Sequence, residues 1–128
     1  MKNRYLFRGK RIDNGEWMIG NLVQTDDGVY IIQNHVPEHF IKNYEVDKTT
    51  ICQYTGLLDK NGELIWENDI VIIPSDEEPC LLGWDDSAGC WSMKQDGTVY
   101  TFDNFWSNEV EVIGNKFDNV EFLEDSYE

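Results

Sequence analysis

A chain of 128 residues with 41% apolar side chains, among them 5 Trp, 6 Tyr and 6 Phe, fits one domain or two very small ones and can bury a real core. Its formal net charge of −15 argues against direct nucleic-acid binding, which needs clustered Lys and Arg. No apolar run approaches the roughly 18 residues that span a bilayer, so no membrane association is expected.

The start, "MKNRYLFRGK", has basic residues but no apolar segment behind them, so no signal peptide is expected. Turn signals then recur at short spacing: Asp13–Gly15, Asp26–Gly28, Lys60–Gly62, Ser87–Gly89 and Gln95–Gly97. Asn-Gly and Asp-Gly supply the positive φ that tight hairpins demand. Between them lie short runs rich in β-branched and aromatic residues, which read as strands. In order these are "EWMIGNLV", "VYII", "ELIW", "DIVII", "CLLGW", "CWSM", "TVYTF" and "EVEVIG". In the last, Val110 and Val112 should face one way, and Glu109 and Glu111 the other. Helical periodicity is poor; the candidates are a short segment near "VPEHFIKNY", limited by Pro37, and the acidic tail "NVEFLEDSYE". Many short strands with a turn about every ten residues argue for a small barrel or sandwich.

Charge is split along the chain. Residues 1–60 carry 8 basic and 8 acidic side chains, whereas residues 61–128 carry 2 basic and 17 acidic ones. The five cations Lys2, Arg4, Arg8, Lys10 and Arg11 precede the first acid. They form a basic arm that could dock on the acidic half of a neighbouring copy. Trp84, Trp91, Phe105 and Trp106 make the most aromatic quarter of the chain, either core or a binding patch, with Trp84 and Trp91 placed to pair across a hairpin.

Motifs for chemistry are weak. His35 and His39, with Glu38 and Cys52 at a distance, are the best metal candidates, but Pro37 lies between them and no second histidine pair or C-x-x-C completes a shell. "DKNGELIWENDI" places Leu64 and Ile70 where a calcium loop wants Gly and Glu. There is no G-x-S-x-G, P-loop or G-x-G-x-x-G. The expectation is a protein without cofactor or catalytic residues. Three cysteines, Cys52, Cys80 and Cys90, odd in number and without a C-x-x-C, fit reduced thiols in a cytoplasm.

The stretch "YTGLLDKNGELIWENDIVII" reads as a hairpin at Lys60–Gly62 followed by a corner at Glu67-Asn68-Asp69. Leu64, Trp66 and Ile70 are expected in a barrel core, and the acids on an exposed corner. That rhythm is common in SH3-like barrels. "QYTGLLDKNGELIWENDIV" (residues 53–71) resembles the signature of the YopX proteins, small proteins typical of phages and prophages, whose pattern runs approximately Q-Y-T-G-L-x-D-K-N-G-x-x-I-Y-E-G-D-I-V. "YLFRGKRIDNGEWMIGNLV" is similar to the family's opening, and Glu111–Asn115 to its closing E-V-I-G-N. Trp66 stands where the family usually has Tyr, Asn68 where it has Gly, and Val120 where it often has Pro.

The resemblance implies a mainly β fold, with an SH3-like β-barrel in the C-terminal half, and homo-oligomers; it implies no activity. The expected organisation is an N-terminal β region and connecting loop over residues 1–50, and the barrel with its acidic tail over 51–128. The expected function is a non-enzymatic binding or self-assembly module, its partner a second copy or a host or phage protein. Two alternatives are an acidic DNA mimic that occupies a host nucleic-acid-binding protein and a metal-dependent hydrolase.

Overall fold

The computed structural model describes residues 5–35 and 40–124. The chain forms two compact units, Met1–Tyr54 and Thr55–Glu128. Both are built on antiparallel β-sheet, and neither sheet closes into a barrel.

In the first unit, β1 (Phe7–Lys10), β2 (Trp17–Thr25), β3 (Gly28–His35) and β4 (Phe40–Val46) pair in sequence, and β5 (Cys52–Leu58) begins on the free side of β1. The spatial order is therefore β4-β3-β2-β1-β5. Ile31, Val46, Cys52 and Tyr54 are buried. Two glycines let backbone approach this packing. A Cβ on Gly9 would sit 3.0 Å from Val46 Cγ2, and one on Gly20 would run into the carbonyl of Ile32. A 3-10 turn at Lys48–Thr50 leads into β5, capped by Asp47, whose carboxylate accepts from the Thr49 amide.

The second unit contains the rest of β5, β6 (Leu64–Trp66), β7 (Asp69–Ile72), β8 (Cys80–Asp85), β9 (Cys90–Gln95), β10 (Thr98–Thr101) and β11 (Glu111–Asn115). Strands β7 to β10 form a meander. One helical turn, α1 (Asn104–Ser107), then returns the chain so that β11 pairs with β7. The sheet order is β10-β9-β8-β7-β11. Its core gathers Ile65, Val71, Cys80, Leu82, Met93, Phe102 and Val110, with Trp91 and Trp106 packed against it. A last turn, α2 (Glu121–Glu124), lies in the acidic tail.

All five glycine turn signals join consecutive hairpin strands. The eight expected strands became β2, β3 and β6 to β11. Three strands escaped the sequence reading, as did the short turns at Lys48–Thr50 and α1. The segment "FIKNY" is the strand β4, not a helix; residues 36–39 lie outside the described residues. Its pairing with β3 over seven register positions outweighs local propensity, as tertiary context commonly does in sheets. Strands β1 and β5 carry charges, Gln and Gly that blur the apolar alternation.

The corner needs correcting as well. Ile65 and Trp66 are buried and Leu64 only half-buried, so the inward residue after the hairpin is Ile65. Asp69, expected on an exposed corner, is buried, and its Oδ2 accepts from the Trp66 amide at 2.8 Å. Asn68 has φ 71°, while its N–H donates to the Leu82 carbonyl and its own carbonyl accepts from the Lys116 amide. This is the left-handed region, which Asn and Gly tolerate and β-branched residues do not.

A second carboxylate holds the hairpin itself. Asp59 is buried, and its Oδ1 accepts from the amides of Asn61 and Glu63 while Oδ2 accepts from Val112 N–H at 3.0 Å. The adjacent Lys60 amide donates to the Val110 carbonyl. The β5–β6 turn is thereby fastened to β11, and Gly62 at φ 82° closes its tip.

Asp59→Asn leaves one acceptor where two are needed and points an amine either at the turn or at Val112. We expect a loss of about 3 kcal/mol in chemical denaturation; a change below about 0.5 kcal/mol would contradict the clasp. At the corner, Asn68→Val should cost about 1–2 kcal/mol more than Asn68→Gly, and equal stabilities would show that the positive φ is not a constraint.

Candidate functional site

The basic arm is only partly described, because Lys2 and Arg4 lie outside the described residues. The remaining three cations rest on aromatic rings of the first unit. Arg8 lies 4.5 Å and Lys10 5.3 Å from the centroid of Trp17, and Arg11 4.9 Å from that of Tyr44. Arg11 also grips Asp13 with both nitrogens of its fork, Nε to Oδ1 at 2.9 Å and Nη2 to Oδ2 at 2.6 Å. That hydrogen bonding holds the Asp13 carboxyl below its ordinary range. An open cavity of about 500 Å³ beside these residues is lined by Lys10, Arg11, Val29, Glu45, Asp47 and Lys48. Both cations (Lys10, Arg11, Lys48) and carboxylates (Glu45, Asp47) line it, so its charge selects for neither sign strongly.

The aromatic quarter sits on the second unit, where strand register fixes which side chains share a face. Trp84 lies opposite Trp91, Leu82 opposite Met93, and Met93 opposite Tyr100. Residues opposite one another on neighbouring strands share a face. Leu82 and Met93 are core residues, so Trp84, Trp91 and Tyr100 stand on the core side of the sheet, at its margins. The two indoles meet edge to face at 5.1 Å, which realises the cross-strand pair expected from sequence. Trp91 packs on the core, but Trp84 remains 48% exposed. On α1 the same division recurs: Trp106 packs on the core while Phe105, 5.3 Å away edge to face, is 65% exposed. The turn exists because Asp103 caps it, accepting from the amides of Phe105 and Trp106.

Sequence reasoning missed the edge. β10 is the last strand of its sheet, and all four of its residues are exposed on both faces. Val99 is 53% and Tyr100 40% exposed. "TVYT" carries a clear strand signal but nothing to say that no further strand pairs with it; that follows only from the return of β11 to β7.

The buried acids of the apolar stretch have structural posts, and two of the metal candidates lie outside the described residues. Asp69 and Asp59 hold backbone amides, as described above. His39 and Glu38 lie outside the described residues, and Cys52 is buried with its thiol directed at the Thr50 carbonyl. Among the described residues no group of three or more His, Cys, Asp or Glu side chains is placed to hold a metal ion. No described helix is long and apolar enough to cross a membrane.

The closing segment is equally occupied by structure. Asn115 is buried; its side-chain oxygen accepts from the amides of Phe117 and Asp118, and its own amide donates to Asn119. The three stretches that carried the resemblance, the opening, the hairpin with its corner and the closing, thus shape both units of the chain. The sequence pattern of the family described as YopX protein matches residues 6–124. The chain belongs to the YopX family. No curated protein matches it.

Within this YopX chain one thiol has an unusual setting. Cys80 is buried, and burial first, then the charges of Asp76 and Glu78, push its pKa from 9.0 up to about 11. The group is held as a thiol at neutral pH. Between pH 9.0 and about 11 the folded chain keeps a proton that the unfolded chain releases, so stability present below pH 9 is lost as pH rises through that window. Denaturation followed across this range should show a steeper decline for the native chain than for Cys80→Ala. Identical slopes would remove Cys80 as the cause.

Proposed function

We propose that this YopX protein is a non-enzymatic binding or self-assembly module of the phage and prophage type. The observation that carries this reading is the display of large apolar side chains on the acidic second unit. Trp84, Tyr100 and Phe105 are exposed there, and Val99 is exposed on the opposite face of β10 from Tyr100, so large apolar side chains are left for a partner to cover. Aromatic residues of this kind are the usual anchors of protein interfaces.

The charge split supplies a route for self-association. Arg8, Lys10 and Arg11 lie on the first unit, and the second carries nearly all the excess of acid. Contact between a basic face of one copy and an acidic face of another would be head to tail. The order β11-β7-β8-β9-β10, with a helical turn before the last strand in sequence, supports an SH3-like reading of the second unit as an open form of that barrel. Fold alone assigns no partner. The three free cysteines support a reducing compartment such as the cytoplasm.

Sedimentation velocity at low and high salt tests the reading. Oligomers that dissociate as salt rises are expected, because exposed ion pairs are screened beyond about 10 Å at 0.1 M. Reversing charge at Arg8 and Lys10 should lower the association constant by at least about tenfold. A monomer at every salt concentration, with no protein captured from an infected or induced host, would overturn the proposal. Recovery of a host nucleic-acid-binding protein alone would favour the DNA-mimic alternative, which the net charge of −15 keeps physically reasonable.

A further inference from the structure

The two outer strands of the second unit's sheet are treated differently. At β11 an outward backbone group is taken: Val112 N–H donates to Asp59 Oδ2, and the Val110 carbonyl just before the strand accepts from Lys60. At β10 no such cover exists among the described residues, and every residue of the strand is exposed.

Register tells which groups of β10 face outward. The Phe102 amide donates to the Trp91 carbonyl, and the register continues from there through Thr101 opposite Ser92 to Thr98 opposite Gln95. Antiparallel strands alternate between pairs that exchange both hydrogen bonds and pairs that exchange none. Phe102, Tyr100 and Thr98 therefore bond inward to β9. Val99 and Thr101 turn their N–H and C=O groups to the open edge. Natural edges are commonly blunted by short length, Lys, Pro or a bulge; "TVYT" is short, at 4 residues, but has no Lys, Pro or bulge.

Charge selects the occupant. Residues 95–115 contain Asp96, Asp103, Glu109 and Glu111 and no Lys or Arg; the cation just before them, Lys94, lies opposite Val99 on the face away from Tyr100. Pairing β10 with β10 of a second copy would bring Asp96 of one strand beside Asp103 of the other, a like-charge contact at each end of the ladder. A strand bearing Lys or Arg on the Tyr100 face, away from Lys94, meets no such cost. Its side chains on the core side of the sheet would lie against Tyr100, whose ring offers an apolar and cation-attracting surface.

We propose that the open edge of β10 is a docking strand for an extended, Lys- or Arg-bearing segment of a partner protein, added antiparallel or parallel through the backbone groups of Val99 and Thr101. This rests on the reading of the chain as a binding module and assigns the surface and the chemistry of what it takes.

The test uses the full chain and a blocked hexapeptide of alternating Val and Lys, with an alternating Val and Glu peptide as control. Amide exchange by NMR and calorimetry supply the readouts. Expected are binding of the Lys peptide that weakens as salt rises, at least a tenfold slowing of exchange at Val99 and Thr101, and no binding of the Glu peptide. Val99→Pro should abolish binding without lowering the melting temperature, because the Val99 N–H makes no bond to β9 and proline is accepted on such edges. If that variant does not fold, Thr101→Pro serves the same purpose, and Val99→Lys should weaken binding through charge. Binding that survives a folded edge-proline variant, protection elsewhere in the chain, or no binding of the Lys peptide would overturn the proposal. So would concentration-dependent protection of β10 without peptide, which would assign the edge to a second copy. Salt-sensitive self-association that persists while peptide binding fails would leave the binding-module reading standing and remove only this docking site.

Discussion

The carboxylate of Asp59 is the tie on which the second unit depends. It sits where the chain reverses between β5 and β6, and it reaches a strand 53 residues further along. Backbone amides that would otherwise be left without acceptors in a partly dry setting find them in one side chain. Such charge-assisted bonds are about twice as strong as neutral ones. An unmet buried amide costs about 1–3 kcal/mol. Neighbouring Lys60 doubles the link through its backbone, so the turn and β11 are joined by main chain as well as side chain.

Asp69 repeats the device on a smaller scale. Its carboxylate holds the Trp66 amide across a two-residue corner whose shape is set by Asn68. Two acids in the most apolar part of the sequence thus act as backbone acceptors. Ile65, Trp66 and Val71, close to them in sequence, are buried as well. The acidity that reads as an exposed corner in one dimension is, in three dimensions, the means by which sharp turns are made inside a small core.

Turns and strands were legible because Gly-containing pairs punctuate the chain and β-branched runs lie between them; each of the five signals makes a hairpin. The positive φ at Asn68 could be read because Asn is the common substitute where Gly is usual. The burial of Asp69 and Asp59 could not, since it depends on amides brought close only by folding. Strand β4 was hidden because its partner, not its composition, decides its state. The open side of β10 was invisible for a related reason: an edge is defined by which strand fails to arrive, and β11 goes to β7 instead. The aromatic quarter was half legible. Pairing of Trp84 with Trp91 follows from hairpin spacing, whereas the division into buried Trp91 and Trp106 and exposed Trp84 and Phe105 follows from where the sheet ends.

One edge of the second unit's sheet is clasped and the other is left open, and that asymmetry is what gives the unit a surface to offer. Residue-resolved amide exchange on the free chain, at a concentration where it does not associate, measures both edges at once. The Val112 and Lys60 amides should exchange slowly, with Thr98 and Tyr100 protected by β9, while Val99 and Thr101 exchange nearly as fast as an unfolded chain. Protection at Val99 and Thr101 equal to that at Tyr100, or free exchange at Val112, would contradict the account.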